Sequence, residues 1–212
     1  MTTAEAAACM RWLLLGVMVV VGVTGCRGDE GEPRPESKPM TAAEAQEMLA
    51  REGPSGEGRF PGGRFSFGSA FDNSTSPFET SGRQTGAWLA SASWDIYWYG
   101  DDGERGAWGV GIDVLRTSGG APRALDKGAA FWCPAARRGV DDLESGGLAD
   151  VRAASCHRAG GDGFYGTLDA ADGPVLASLT VGGPTRHAAV AALRAVWPTI
   201  RHAVVRVRSA LG

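Results

Sequence analysis

Lysine is nearly missing: of the 21 basic residues only Lys38 and Lys127 are lysine. Histidine is almost as rare, with three in 212 residues, and the formal net charge is −3. A chain with no basic surplus lacks the electrostatic footprint of a nucleic-acid surface. The arginine bias, alongside abundant alanine and glycine, reads as genome composition and not as a binding stripe. His157, His187 and His202 fall at no ligand spacing, and Cys156-His157 lacks the upstream cysteine that haem attachment needs. No metal or cofactor is therefore expected. Also missing are the G-x-S-x-G elbow, S-x-x-K, H-E-x-x-H and a phosphate-cradling glycine loop. No catalytic residue is assigned, and a hydrolase remains the alternative only through a constellation that folding would have to assemble.

There is no apolar run of the roughly 20 residues that a helix needs to cross a membrane. The longest candidate runs from Trp12 to Val23, preceded by Met10-Arg11 and followed by Val23-Thr24-Gly25-Cys26. One positive charge, about a dozen apolar residues and a small-residue step make a signal peptide. Glu5 is out of place in such a leader, so Met10 competes with Met1 as the start. Val23-Thr24-Gly25-Cys26 resembles the lipobox of bacterial lipoproteins. That resemblance implies removal of residues 1–25 and lipidation of Cys26 by a diacylglycerol and a further acyl chain such as palmitate. It also implies a domain held at the cell envelope, outside the cytoplasmic membrane. Two or more chains make a stable anchor where one is marginal. Arg27 follows the cysteine in place of aspartate, which in a two-membrane host implies sorting to the outer membrane.

With Cys9 lost in the leader and Cys26 lipidated, Cys133 and Cys156 remain. An even number in an oxidising compartment is read as one disulfide, contributing about 3 kcal/mol by constraining the unfolded chain.

Residues 26–59 are expected to be a lipidated flexible tether carrying a short helix. Three prolines and many charges between Arg27 and Pro39 leave nothing apolar to bury. Thr41 and Glu44 make a capping box for a helix over Ala42 to Arg51, with too few large apolar residues to pack firmly, and Gly53 to Gly58 is a flexible joint. Residues 60–212 are expected to form a single globular α+β domain: an antiparallel sheet of five or six strands with a C-terminal helix packed on one face. This order loosely resembles the Mog1/PsbP-like lipoproteins in architecture.

Strict alternation carries most of that expectation. Phe65, Phe67, Ser69 and Phe71 share one parity, and Trp88, Ala90, Ala92, Trp94, Ile96 and Trp98 are apolar at every second position. Trp108, Val110, Ile112 and Val114 repeat the pattern. A hairpin centred on Gly103 sets Trp98 opposite Trp108 and Trp94 opposite Ile112. A second, with a four-residue loop over Ala170 to Gly173, sets Leu168 opposite Val175. Another strand is expected over Asp126 to Pro134, a loop over Ala135 to Gly147, and a strand within Leu148 to Arg158. Pro184 opens a helix, with Pro198 stopping or kinking it before a second helical stretch. The acidic turns at Asp101 to Glu104 and Asp169 to Gly173 lack calcium-loop spacing and are read as solvated. The tryptophans share parity with the core. Tyr97 and Tyr99 face the other way, so they are the residues expected to touch a ligand. The chain is thus expected to be a non-enzymatic binding or accessory protein, attached to the membrane through its lipid and meeting an unidentified envelope protein or ligand.

Overall fold

The computed structural model describes residues 39–72, 88–117, 138–140, 143–158 and 161–212. The expected Asp126–Pro134 strand, Cys26 and Cys133 lie outside them. The strands are β1 (Glu57–Phe60), β2 (Gly63–Phe67), β3 (Phe71–Asp72), β4 (Trp88–Gly100), β5 (Arg105–Leu115), β6 (Arg138–Gly139), β7 (Asp150–His157), β8 (Phe164–Asp172) and β9 (Val175–Gly183). Two helices complete the described elements, α1 (Ala42–Glu52) and α2 (Arg186–Ala210). Every strand pairing is antiparallel, in the order β1-β2-β4-β5-β9-β8-β7-β6 with β3 also on β4. The α+β class and the helix on the apolar face are as expected. The described strands number nine rather than five or six, because short edge strands escape detection by periodicity.

The period of two sends Ala92, Trp94 and Ile96 of β4, Val110, Ile112 and Val114 of β5, Val175, Ala177 and Leu179 of β9 and Leu168 of β8 to one face. There they meet the α2 stripe Leu193, Val196, Trp197, Ile200, Val204 and Val207, repeating at three and four residues. α2 packs along β9, β8 and β7 and also reaches β1, so the sheet curls around it. Helix and sheet approach most closely where side chains are missing: a Cβ on Gly166 would lie 3.0 Å from the Ala189 carbonyl oxygen, and one on Gly183 would lie 2.6 Å from the Ala189 nitrogen.

Both hairpins keep their expected faces but not their expected registers. In the first, Trp98 pairs with Gly106, Ile96 with Trp108 and Trp94 with Val110. The turn is centred one residue earlier, because Asp102 Oδ1 accepts from the Glu104 amide at 3.0 Å and Gly103 takes a φ of +88° beyond it. That makes a three-residue loop with a left-handed glycine. In the second, Ala170 and Ala171 stay in the strand, Asp172 pairs with Val175, and a two-residue turn of Gly173 (φ +59°) and Pro174 replaces the four-residue loop. Each shift is an even number of residues, and an even slip leaves the buried face unchanged. One tryptophan does change sides. The register shifts between Trp88 and Ala90; a bulge of this kind reverses parity, and Trp88 packs with Leu115, Ala171 and Leu176 on the other face.

The N-terminal boundary also differs. The capping box forms, with Thr41 N donating to a Glu44 carboxylate oxygen at 2.7 Å and Glu44 N donating to Thr41 Oγ1 at 3.2 Å. Hydrogen bonds from the Thr41 backbone and then its side chain hold the Glu44 carboxyl below the usual glutamate range, so this cap persists above that range and weakens as pH falls through the lowered value. The helix is not loosely attached: Ala45, Met48 and Leu49 are buried in the main core. Arg206 of α2 donates to the carbonyl oxygens of Glu52 (3.2 and 2.9 Å) and Gly53 (2.9 Å), capping the end of α1. The expected flexible joint over Gly53 to Gly58 runs straight into the sheet: its last two residues, Glu57 and Gly58, open β1, paired with β2. The compact unit accordingly starts at Pro39, not at residue 60. Arg206→Ala is expected to cost about 1–2 kcal/mol and to raise amide hydrogen exchange across 42–52 before the sheet loosens; equal exchange would show that α1 docks without this cap.

Two helices were expected around Pro198, and one continuous helix is found. Pro198 lies on the exposed side, so the backbone bond it removes is lost towards solvent. Trp197 and Ile200 on either side are both buried, and tertiary packing outweighs the local preference. Pro184 precedes the helix, whose N-cap is Thr185, accepting from Ala188 N at 3.1 Å. Among the described residues no helix is long and apolar enough to cross a membrane.

Candidate functional site: a bared trough on the outer face

The outer face of β5 has almost no side chains in its upper half. Trp108, Val110 and Ile112 point into the core, so Ala107, Gly109 and Gly111 point outward. Among the described residues, a Cβ built on Gly109 would meet nothing within 4 Å, and one on Gly111 only ordinary contacts, from 3.6 Å. Glycine within a strand costs about 0.5–1 kcal/mol relative to alanine, and such positions mark bulges or places where something approaches the backbone closely. The ladders on both sides are regular here, so no bulge accounts for the glycines.

Neighbouring strands wall this floor with polar groups in register. Half-buried Asp95 of β4 and Thr180 of β9 flank Gly109, while Ser93 and Ser178, both buried, flank Gly111. The walls stand two strand spacings apart, about 9.6 Å. Phe71 of β3, paired with Ser93 and 47% exposed, borders one side. Tyr165 of β8 borders the other, its ring covered by the Arg158 guanidinium at 5.2 Å.

All of these residues line one cleft of about 1140 Å³. The cleft extends to the end of the sheet where β5 and β9 part, and there it is also lined from the core side, by Trp94, Val110, Val181 and Ala192. Their ladder stops at Gly109 and Thr180, while β5 stays on β4 as far as Arg105 and β9 stays on β8 as far as Gly183. The parting is occupied by Trp108, which stacks on Trp98 at 5.8 Å and meets Phe60 edge-on at 5.2 Å. Among the described residues, four carboxylates line the cleft (Asp95, Asp102, Glu104 and Asp162) against two guanidiniums, Arg105 and Arg158.

Tyr97 and Tyr99 do stand on the outer face, 43% and 41% exposed, but neither is among the described lining residues of the cleft. Tyr99 lies under the Arg64 guanidinium at 5.2 Å. Tyr97 adjoins the trough: its hydroxyl donates to Asp95 Oδ2 at 3.4 Å, which orients that carboxylate. His157 packs its ring on Phe164 at 4.1 Å, His187 and His202 are exposed on α2, and none of the three lines the cleft. Among the described residues no group of three His, Cys, Asp or Glu could hold a metal ion.

Reading the sequence for side chains missed Gly109 and Gly111, which pass as turn glycines in a chain with 32 of them. Their signal was present: two glycines in alternation with Trp108, Val110 and Ile112 belong to a strand with one bared face. Comparison of the chain with protein-family models, curated proteins and solved structures finds no match.

Proposed function

We propose that the chain is a bacterial cell-envelope lipoprotein, anchored by lipid at Cys26, whose folded unit acts as a non-enzymatic binding protein through the outer-face trough. The observation that carries the binding role is the floor at Gly109 and Gly111 with polar walls in register on either side. Strand stability is given up there while the core face of the same strand is fully packed. The histidines stand away from the cleft, which favours binding over hydrolysis. The lipobox-like step at Val23 to Cys26 supports the address.

The Cys133–Cys156 disulfide belongs to the same proposal. Cys156 is 4% exposed on β7, next to the short edge strand β6, where a crosslink would tie down the sheet margin.

Intact-mass measurement of the mature protein tests the address and the crosslink together. The expected species begins at Cys26, carries a diacylglycerol, and gains two hydrogens on reduction. Replacing both Cys133 and Cys156 by serine is expected to cost about 3 kcal/mol. An unprocessed leader, or an unmodified thiol at Cys26, would contradict the address. Two alkylatable thiols before reduction would contradict the crosslink.

A further inference from the structure

We infer that the trough binds a neutral saccharide, its ring laid over Gly109 and Gly111; this rests on the trough being the ligand site. Four classes of ligand can be weighed against the same residues. An extended peptide binds a sheet through free main-chain groups along a strand edge. At Gly109 and Gly111, however, β5 is paired on both sides, to Asp95 and Ser93 of β4 and to Thr180 and Ser178 of β9. A peptide lying there would find side chains only. An anionic ligand would enter a cleft whose described lining holds four carboxylates and two guanidiniums, a field of the wrong sign. A wholly apolar ligand would strip water from Asp95 and Thr180 without replacing their hydrogen bonds.

A polyhydroxylated ring satisfies each feature. Its flat body needs a floor without side chains, which the two glycines provide. Its hydroxyls are donors and acceptors at once, matching a carboxylate on one wall and a threonine hydroxyl on the other, across about 9.6 Å. The C–H face of a sugar packs on aromatic rings, and Phe71 stands exposed at the border beside Ser93. The Tyr97 hydroxyl already holds one carboxylate oxygen of Asp95, leaving the other to accept from sugar hydroxyls. The cleft continues beyond the floor to the parting of β5 and β9, so it has room for more than one ring.

The test is calorimetric titration of the full-length protein with cellotetraose, chitotetraose and maltotetraose, with inorganic phosphate and tetra-alanine as the anionic and peptide probes. At least one tetrasaccharide is expected to bind with a Kd of about 1 mM or tighter, and neither other probe should do so. Gly109→Val, which raises a side chain from the floor, and Thr180→Val, which removes a hydroxyl without changing size, should each weaken binding tenfold or more while the melting transition stays cooperative. Failure of all three tetrasaccharides to bind, or binding that is indifferent to both substitutions, overturns the inference. If tetra-alanine or inorganic phosphate binds instead and Gly109→Val abolishes it, the saccharide class falls while the trough stands as the ligand site.

Discussion

Trp197→Ala is expected to destabilise the folded unit by about 3–5 kcal/mol, lowering the melting temperature by about 6–20 °C at the 2–4 °C per kcal/mol typical of a unit of this size. Trp197 is 2% exposed at the centre of the α2 stripe, between Val196 and Ile200. Removing the indole leaves a cavity in the layer that joins helix to sheet. It also deletes the hydrogen bond that Nε1 donates to the Glu144 carbonyl oxygen at 2.9 Å, which ties the segment before β7 to the helix. Trp197→Phe separates the two contributions. It keeps most of the buried ring and loses the hydrogen bond, so the expected cost falls to about 1–2 kcal/mol. A Trp197→Ala protein melting within a degree or two of the parent would show that α2 is not the core's second layer. Against a total stability of about 5–15 kcal/mol, the alanine variant removes a large share.

Gly183→Val and Gly109→Val should move stability in opposite directions although both place valine in a strand. At Gly183 a Cβ would come within 2.6 Å of the Ala189 nitrogen and 3.0 Å of Ala188. These are backbone and near-backbone atoms of the first helical turn, which cannot swing aside as a long side chain would. The helix start must lift off β9, and overpacking of this kind costs about 1–3 kcal/mol or more. At Gly109 a Cβ would meet nothing within 4 Å among the described residues, and strand propensity favours valine by up to about 1 kcal/mol. Urea denaturation of both variants checks the contrast. Equal destabilisation would mean that the Gly109 floor is structurally constrained, and its bareness would then need no ligand to account for it.

The sequence revealed faces better than registers. Alternation at Trp94, Ile96, Val110 and Ile112 was enough to identify the buried side, because a half-buried strand has only one workable parity. It could not locate the turns. The Asp102 side chain, hydrogen-bonded to the Glu104 amide, and the left-handed Gly173 each moved a pairing by an even number of residues. Trp88 was misplaced because a bulge leaves no trace in the alternation before it. The docking of α1 was hidden for a different reason: Ala45, Met48 and Leu49 are too few to announce a packed helix, and their burial depends on β4 and on α2, far along the chain. Pro198 argued for a break that the continuous apolar stripe around it overrides.

The functional face was partly legible. Tyr97 was chosen for its parity, and it does stand on the outer face, where it orients Asp95. Tyr99 shares that face but lies apart from the described cleft lining. The floor itself went unread because it consists of side chains that are not there. Two glycines on a strand gain meaning only when Asp95, Ser93, Thr180 and Ser178 are seen beside them.

The most direct test of the trough is backbone amide shift mapping of the ¹⁵N-labelled folded unit during titration with whichever of the three tetrasaccharides binds most tightly. The account predicts shifts concentrated at Ser93, Asp95, Gly109, Gly111, Ser178 and Thr180, absent in the Gly109→Val protein. Shifts that gather on the exposed side of α2 or around Arg64 and Tyr99, with Gly109 and Gly111 unmoved, would contradict it.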